Sequence, residues 1–319
     1  MSVLSDIPVK NKGRKRFSFL SDFLIRLFKE KPLGTIGLVI FLILLFTGIF
    51  ANFLAPYGVN EVVGDYLKPP SVQHWLGTDN LGRDLLSRVI YGARISMIVG
   101  FVGAVLSLIL SLIIGMLSGF IGGKVDLVLQ RFVDAWMCLP SLVILIAILS
   151  LTGPGLPQVI VVLGLSYGIA GSRVVRGTVI AIKQNMYIDA AKAIGASNIR
   201  QLLRHVLPNI TAPLIVLFTA RMPFIILDEA GLSFLGFGVP PPFPSWGAML
   251  SGSARSYMFL APWMAIWPGL ALTAVVFGIN MFGDAIRDLV DPKLRGGVGS
   301  YAGEKIKRVR ELLAKKSNL

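Results

Sequence analysis

Between Gly34 and Pro56 the chain carries no charged residue. An α-helix crosses the hydrocarbon core of a bilayer with about 20 apolar residues, and every backbone polar group in that core must find its partner within the protein. Such a stretch is read as a membrane-spanning helix. It begins too late and runs too long for a cleaved signal peptide. Similar runs recur. Spans are expected at about 34–56, 95–118, 128–151, 159–176, 211–228 and 264–284, which makes the protein an all-α integral membrane protein with six transmembrane helices. The third run is interrupted by Asp134 and by Pro140, which is expected to kink it and open a cavity. Asp134 follows Arg131 by three residues, a spacing that allows an i,i+3 pair. Arg221 lies near the middle of the fifth run, where a charge is costly and must face protein or a wet cavity. Both Arg221 and Asp134 keep two readings, lining of a translocation path or a structural partner within the bundle.

Composition agrees. Hydrophobic residues make up 54% and charged residues 15%, against roughly 25% charged in soluble domains. The net charge is +14, but the basic residues are not interleaved with aromatics as a nucleic-acid surface requires, so no nucleic-acid partner is expected. They cluster in the tails and between spans. With both termini inside, eight of the 31 Lys and Arg fall in the N-terminal tail, two near the turn between the second and third spans, six between the fourth and fifth, and nine from Arg287 onward. Only five lie in the outer segments. The positive-inside bias therefore places residues 1–33, 291–319 and the segment between the fourth and fifth spans in the cytoplasm. Residues 34–94 comprise the first span and an extracytoplasmic loop, and 95–290 the remaining transmembrane domain. The part from Leu81 on is expected to be an interfacial amphipathic helix leading into a span. Short apolar stretches at Leu232–Phe237 and Phe259–Trp267 are too short to add spans. The single cysteine, Cys138, excludes an intrachain disulfide and is read as a small core hydrophobe.

One cytoplasmic segment, Asn185 to Asn209, is too polar to enter the bilayer. Tyr187 to Ile194 is rich in alanine and reads as a short helix. Gly195 breaks it, because glycine tolerates the left-handed conformation a helix C′ position requires. Ser197 is a candidate N-cap for a second helix, in which Ile199, Leu202, Leu203 and Val206 recur at helical period. Pro208 is expected to end that helix. The outcome is a helix–glycine–helix hook held between two spans.

Enzymatic constellations are missing from the sequence. Gly123-Lys124 lacks both the leading glycine and the following Ser or Thr of a phosphate-binding loop. No metalloprotease or nucleophile-elbow motif occurs, and His74 and His205 fall on opposite sides of the membrane by this topology. No catalytic residue and no metal site are expected.

Asp189-Ala190-Ala191, Gly195 and Leu207-Pro208 resemble the coupling-loop signature of ATP-binding-cassette importer permeases, with Asp189 in place of Glu and His205 in place of Ile. Leu76-Gly77-Thr78-Asp79, Gly82-Arg83-Asp84, Ser87-Arg88, Gly92-Ala93-Arg94, Leu232 to Gly236, Pro244 to Gly247 and Gly283 to Arg295 resemble the C-type permease of the dipeptide, oligopeptide and nickel importer family. The resemblance implies a multi-pass subunit of a prokaryotic cytoplasmic membrane. It implies a second, homologous permease, two cytoplasmic ATPases that hold the ATP and Mg, and an extracytoplasmic substrate-binding protein. Asp189, Ala190, Ala191, Gly195, Ser197, Leu207 and Pro208 would then couple ATPase motion to the bundle. This chain would bind no cofactor, and its cargo would be peptides or, alternatively, nickel or another small solute. A secondary transporter acting alone is a further alternative. Arg83, Arg88 and Arg94 either anchor a helix at the headgroups or meet cargo or its binding protein.

Overall fold

The computed structural model describes residues 19–290. The tail calls before Phe19 and from residue 291 onward, including the end of the Gly283–Arg295 motif, lie outside the described residues. Thirteen α-helices follow in order: α1 Phe19–Glu30, α2 Pro32–Ile49, α3 Ala51–Leu54, α4 Leu85–Ile121, α5 Gly123–Met137, α6 Ser141–Thr152, α7 Leu156–Lys183, α8 Met186–Ala193, α9 Asn198–Gln201, α10 Leu207–Phe234, α11 Trp246–Leu250, α12 Ser253–Ser256 and α13 Trp263–Val290. A single π turn, Leu202–Val206, joins α9 to α10.

Five helical segments are long and apolar enough to cross a membrane: α2, α4, α7, the α9–α10 continuum and α13. The pair α5 and α6 passes the same test only when taken together across a 90° bend, as one broken span or a re-entrant loop, so the described residues hold five crossings, or six with this pair. The bend is sharper than a proline kink because Pro140 does more than remove one N–H. It adopts an extended conformation as the N-cap of α6, so the helix is broken there rather than bent. Cys138 at this corner is exposed, so the core reading of that residue is corrected. The helix expected from Leu81 to lead into a span starts at Leu85, after its Asp84 N-cap. From Leu85 the chain runs as one helix to Ile121, roughly 55 Å at 1.5 Å per residue, with no proline to break it. α1, within the basic N-terminal segment, had no counterpart in the sequence reading; Leu27 is buried against Ala285 and Leu289 of α13.

The bundle is held by close backbone approach. In lipid there is little hydrophobic drive between helices, so contact depends on small residues. Ser107, Ser111, Gly115 and Gly119 recur every four residues on α4 and are buried. They meet Gly168, Ser172 and Val175 on α7. Ser111 Oγ donates to the carbonyl of Gly168 at 2.9 Å. Gly100 and Gly103 make room in the same way for Ile226 and Ile225 of α10.

Candidate functional site

The hook starts where α7 ends. α7 continues past the expected limit of 176 to Lys183. There Asn185 Nδ2 donates to the carbonyls of Ala181 at 3.2 Å and Ile182 at 2.9 Å, which closes the helix. After α8, the N–H of Gly195 donates to Lys192 O and the N–H of Ala196 to Ala191 O, each at 3.0 Å. These are the paired bonds of a Schellman C-cap, and Gly195 holds φ +83°, as the C′ reading requires. Ser197 caps the next helix, its Oγ accepting from the N–H of Arg200 at 3.4 Å.

Pro208 does not end that helix. Proline lacks the N–H and crowds the carbonyl four residues earlier. The chain answers by widening one turn: the N–H of Leu207 donates to Leu202 O, five residues back. Pro208 then sits in the first turn of α10, where a missing N–H costs least. The hook's second arm is therefore continuous with the fifth crossing.

The apolar positions of that arm do not form one buried face. Val206 is buried and joins Ile188 and Ile210 against Met116, Phe120, Val175 and Val179, toward the C-terminal ends of α4 and α7. Lys183 Nζ donates to Phe120 O at 2.6 Å and lies over the Phe120 ring. Gln201 is buried and its Nε2 donates to Ala196 O at 2.7 Å, bracing the elbow. Ile199 and Leu203 instead are 71% and 55% exposed, and with Met186 and Ile194, each 87% exposed, form an unpartnered apolar surface. Asp189, Ala190, Gly195, Ser197 and Pro208 are exposed on the hook, Leu207 is half-buried, and Ala191 faces inward. The exposed surface could not be read from period alone, because the stripe is wide enough to serve two contacts.

Charges beside and within the bundle are mostly matched. Asp134 pairs with Arg173 of α7, while Arg131 stands 3.5 Å away; the stronger partner thus lies on another helix rather than on the same one. Asp126 takes both guanidinium nitrogens of Arg176 at 2.6 Å. Arg221 lies over the Tyr167 ring at 5.5 Å, and Tyr167 donates to Asp228 at 2.8 Å. Glu229, near the end of α10, is fully buried. It accepts from Ser233 at 2.7 Å and Ser96 at 3.4 Å, with Ser245 as a further donor. This node is not legible in the sequence because, besides Ser233 one turn on in the same helix, its partners Ser96 and Ser245 come from other segments.

On the opposite face, residues 55–84 fold against α4 and α13. Asp84 caps α4, accepting from Ser87 N and Oγ at 2.8 Å, and meets His74 Nδ1 at 3.1 Å. Asp79 accepts from the N–H groups of Leu81 and Arg83 at 2.8 and 3.0 Å and from Arg83 Nε at 2.7 Å, and Arg88 Nε lies 3.4 Å away. Trp263 Nε1 donates to Thr78 O at 3.2 Å. Arg94 donates to Gly48 O and Ile49 O, closing the end of α2. The loop after α10 covers this region. With Asp79, Arg83 and Arg88 it bounds a pocket of about 260 Å³.

A profile described as the inner membrane component of binding-protein-dependent transport systems matches residues 111–296. Another, the N-terminal transmembrane domain of oligopeptide transport permease C, matches residues 18–70. Among relatives, a protein of Brucella suis biovar 1 named as a peptide transport system permease is 41% identical over 261 residues, 82% of this chain and 88% of its own. The glutathione transport system permease protein GsiD of Escherichia coli O6:K15:H31 is 38% identical over 274 residues, 85% of this chain and 90% of its own. A solved structure of the MetNI methionine ABC transporter, in an inward-facing conformation, superposes with a TM-score of 0.53 at 19% identity. The match covers 65% of this chain and 96% of that one, so the fold is shared.

Proposed function

Because the chain belongs to the family of binding-protein-dependent transport system inner membrane components, we propose that it is the permease subunit of an importer that carries di- and oligopeptides, driven through the 185–209 hook by separate ATPase subunits. The observation that carries this reading is the hook's two-sidedness. Its inner face is seated on α4 and α7, and its outer face leaves Met186, Ile194, Ile199 and Leu203 uncovered. A soluble partner docking there would push on a body continuous with α10 through the π turn and one turn away from α7. Small residues, Ala190 and Gly195, let a partner's backbone come close.

The orientation follows from the basic tails and the basic hook, which are cytoplasmic in this reading. ATP and Mg reside on the two ATPases. A second, similar permease completes the gate, and an extracytoplasmic binding protein delivers cargo. Closure of the ATPase pair moves the hooks, and the two permeases rock between inward- and outward-facing forms, a rigid-body switch. Arg221, stacked on Tyr167 without a carboxylate in contact among the described residues, fits a wet path between the permeases better than a lipid-facing surface. Nickel and other small solutes remain the alternative cargo.

The test is ATP-driven peptide uptake by the four-subunit importer with its binding protein in proteoliposomes. Gly195→Pro cannot hold φ +83° and loses the N–H that Lys192 O accepts. Uptake falls to background while membrane insertion is retained. Full uptake by this variant removes the hook from the mechanism. External labelling of Lys192→Cys, in a chain with Cys138 replaced, reverses the orientation.

A further inference from the structure

The outer pocket holds more guanidinium than it can neutralise. Its charged lining is Asp79, Arg83 and Arg88, one carboxylate against two cations. A carboxylate offers about four lone-pair sites, and Asp79 spends them on Leu81 N, Arg83 N, Arg83 Nε and Arg88 Nε. Arg88 sends one terminal nitrogen to Val59 O at 3.3 Å. The terminal nitrogens of Arg83 have no acceptor among the described residues, and they are not sealed from solvent, since the one buried unsatisfied side-chain atom found there is Gln158 Oε1. Arg83 and Arg88 are largely covered all the same, with side chains 18% and 12% exposed. A half-satisfied, well-positioned guanidinium is a fork waiting for a planar oxyanion. The other wall is apolar: Val239, the Pro241–Pro244 turn with Phe243, and Met249 and Met264. Leu81 and Phe243 stand exposed at the rim.

We propose that this pocket is a carboxylate-binding site, taking one carboxylate carried on an apolar stem between the Arg83 fork and the Phe243 wall. Two sources present that chemistry on the outer face: the C-terminus of a transported peptide, and an acidic side chain of the binding protein that delivers it. The site rests on the outward orientation proposed above and is independent of the hook.

The experiment uses the full chain in lipid nanodiscs. Saturation-transfer NMR compares trialanine with its C-terminal amide, and a pull-down compares the binding protein with variants lacking single acidic residues on its contact face. A peptide source predicts that trialanine binds about tenfold more tightly than the amide, the worth of one charge-assisted bond. A protein source predicts no such preference, and a single acidic residue whose removal weakens binding-protein capture about tenfold. In either case Arg83→Gln abolishes the difference and Arg83→Lys, which keeps charge but loses the fork, restores part of it. Phe243→Ser, which leaves the Asp79 bonds intact, weakens binding without removing the preference and guards against misfolding of the arginine variants. The proposal is overturned if neither arm depends on a carboxylate, or if Arg83→Gln leaves the dependence unchanged in a chain of normal thermal stability. Labelling of Asn80→Cys from the inside only would instead overturn the orientation, leaving the pocket's chemistry untouched.

Discussion

Two polar segments leave the bundle at opposite ends, and they are fastened differently. One of them, residues 55–84, is nailed down by buried charge. Asp79 and Asp84 are each almost inaccessible, and between them they gather Arg83, Arg88, His74, the Ser87 hydroxyl and three backbone N–H groups. The hook is fastened by a narrow apolar seam, Ile188, Val206 and Ile210 on α4 and α7, and its ion-capable residues, Asp189, Lys192, Arg200 and Arg204, all face outward. Buried, multiply satisfied charges resist any shift in geometry, because an unpaired charge in a low-dielectric site is expensive. An apolar seam tolerates a small slide, because dispersion contacts are many and individually weak. The difference matches a fixed platform at one end of the bundle and a lever at the other.

Removing Asp79 breaks the comparison most forcefully. Asp79→Ala leaves two largely buried guanidiniums and two backbone donors without their acceptor, a loss of about 3–5 kcal/mol for a buried pair that loses one member. The purified chain in detergent is expected to melt roughly 10 °C lower at ~2–4 °C per kcal/mol. An unchanged melting temperature would mean that the outer network is solvated and contributes no rigidity.

The lever was largely legible in the sequence, and the platform was not. Gly195 and Ser197 advertise their roles locally, since a left-handed C′ and an N-cap are set by the residues beside them. The spans were legible because length and the absence of charge are themselves the requirement for crossing a bilayer. By contrast, Asp79 and Asp84 find their partners by folding of a loop with no regular period, and Glu229 meets serines from α4, α10 and the N-cap of α11. The right-angle break at Pro140 was legible as a kink but not in its size, which depends on Pro140 leaving the helical region to cap α6. Pro208 misled because a proline terminates a helix only when the preceding turn cannot widen, and here Leu202 to Val206 do widen.

Loosening the seam tests the lever side. Ile188 is 3% exposed, and Ile188→Ala removes its side chain from the seat formed with Met116 and Val175. The expected cost is about 2–4 kcal/mol, somewhat below that of Asp79→Ala. In the assembled importer this variant is expected to keep ATP hydrolysis while transporting less peptide per ATP, because the hook can move without carrying α4 and α7. A proportional fall in both rates would show that Ile188 only stabilises the fold.

The smallest effect on stability is expected at the hook's outer face, and it is the most informative about what that face is for. Ile199 is 71% exposed, so Ile199→Ser removes apolar surface that is already in water, and the chain alone is expected to change by less than about 0.5 kcal/mol. A partner seated on Met186, Ile194, Ile199 and Leu203 would desolvate that same side chain, and truncating a central apolar anchor commonly costs more than about 1 kcal/mol of binding. The substitution therefore separates the two sides of the comparison: an unaltered melting curve, together with roughly fivefold or greater weakening of ATPase capture by the detergent-solubilised permease. Equal capture by the wild type and the variant would place the ATPase elsewhere, and the seam on α4 and α7 would then be a resting contact with no load to transmit.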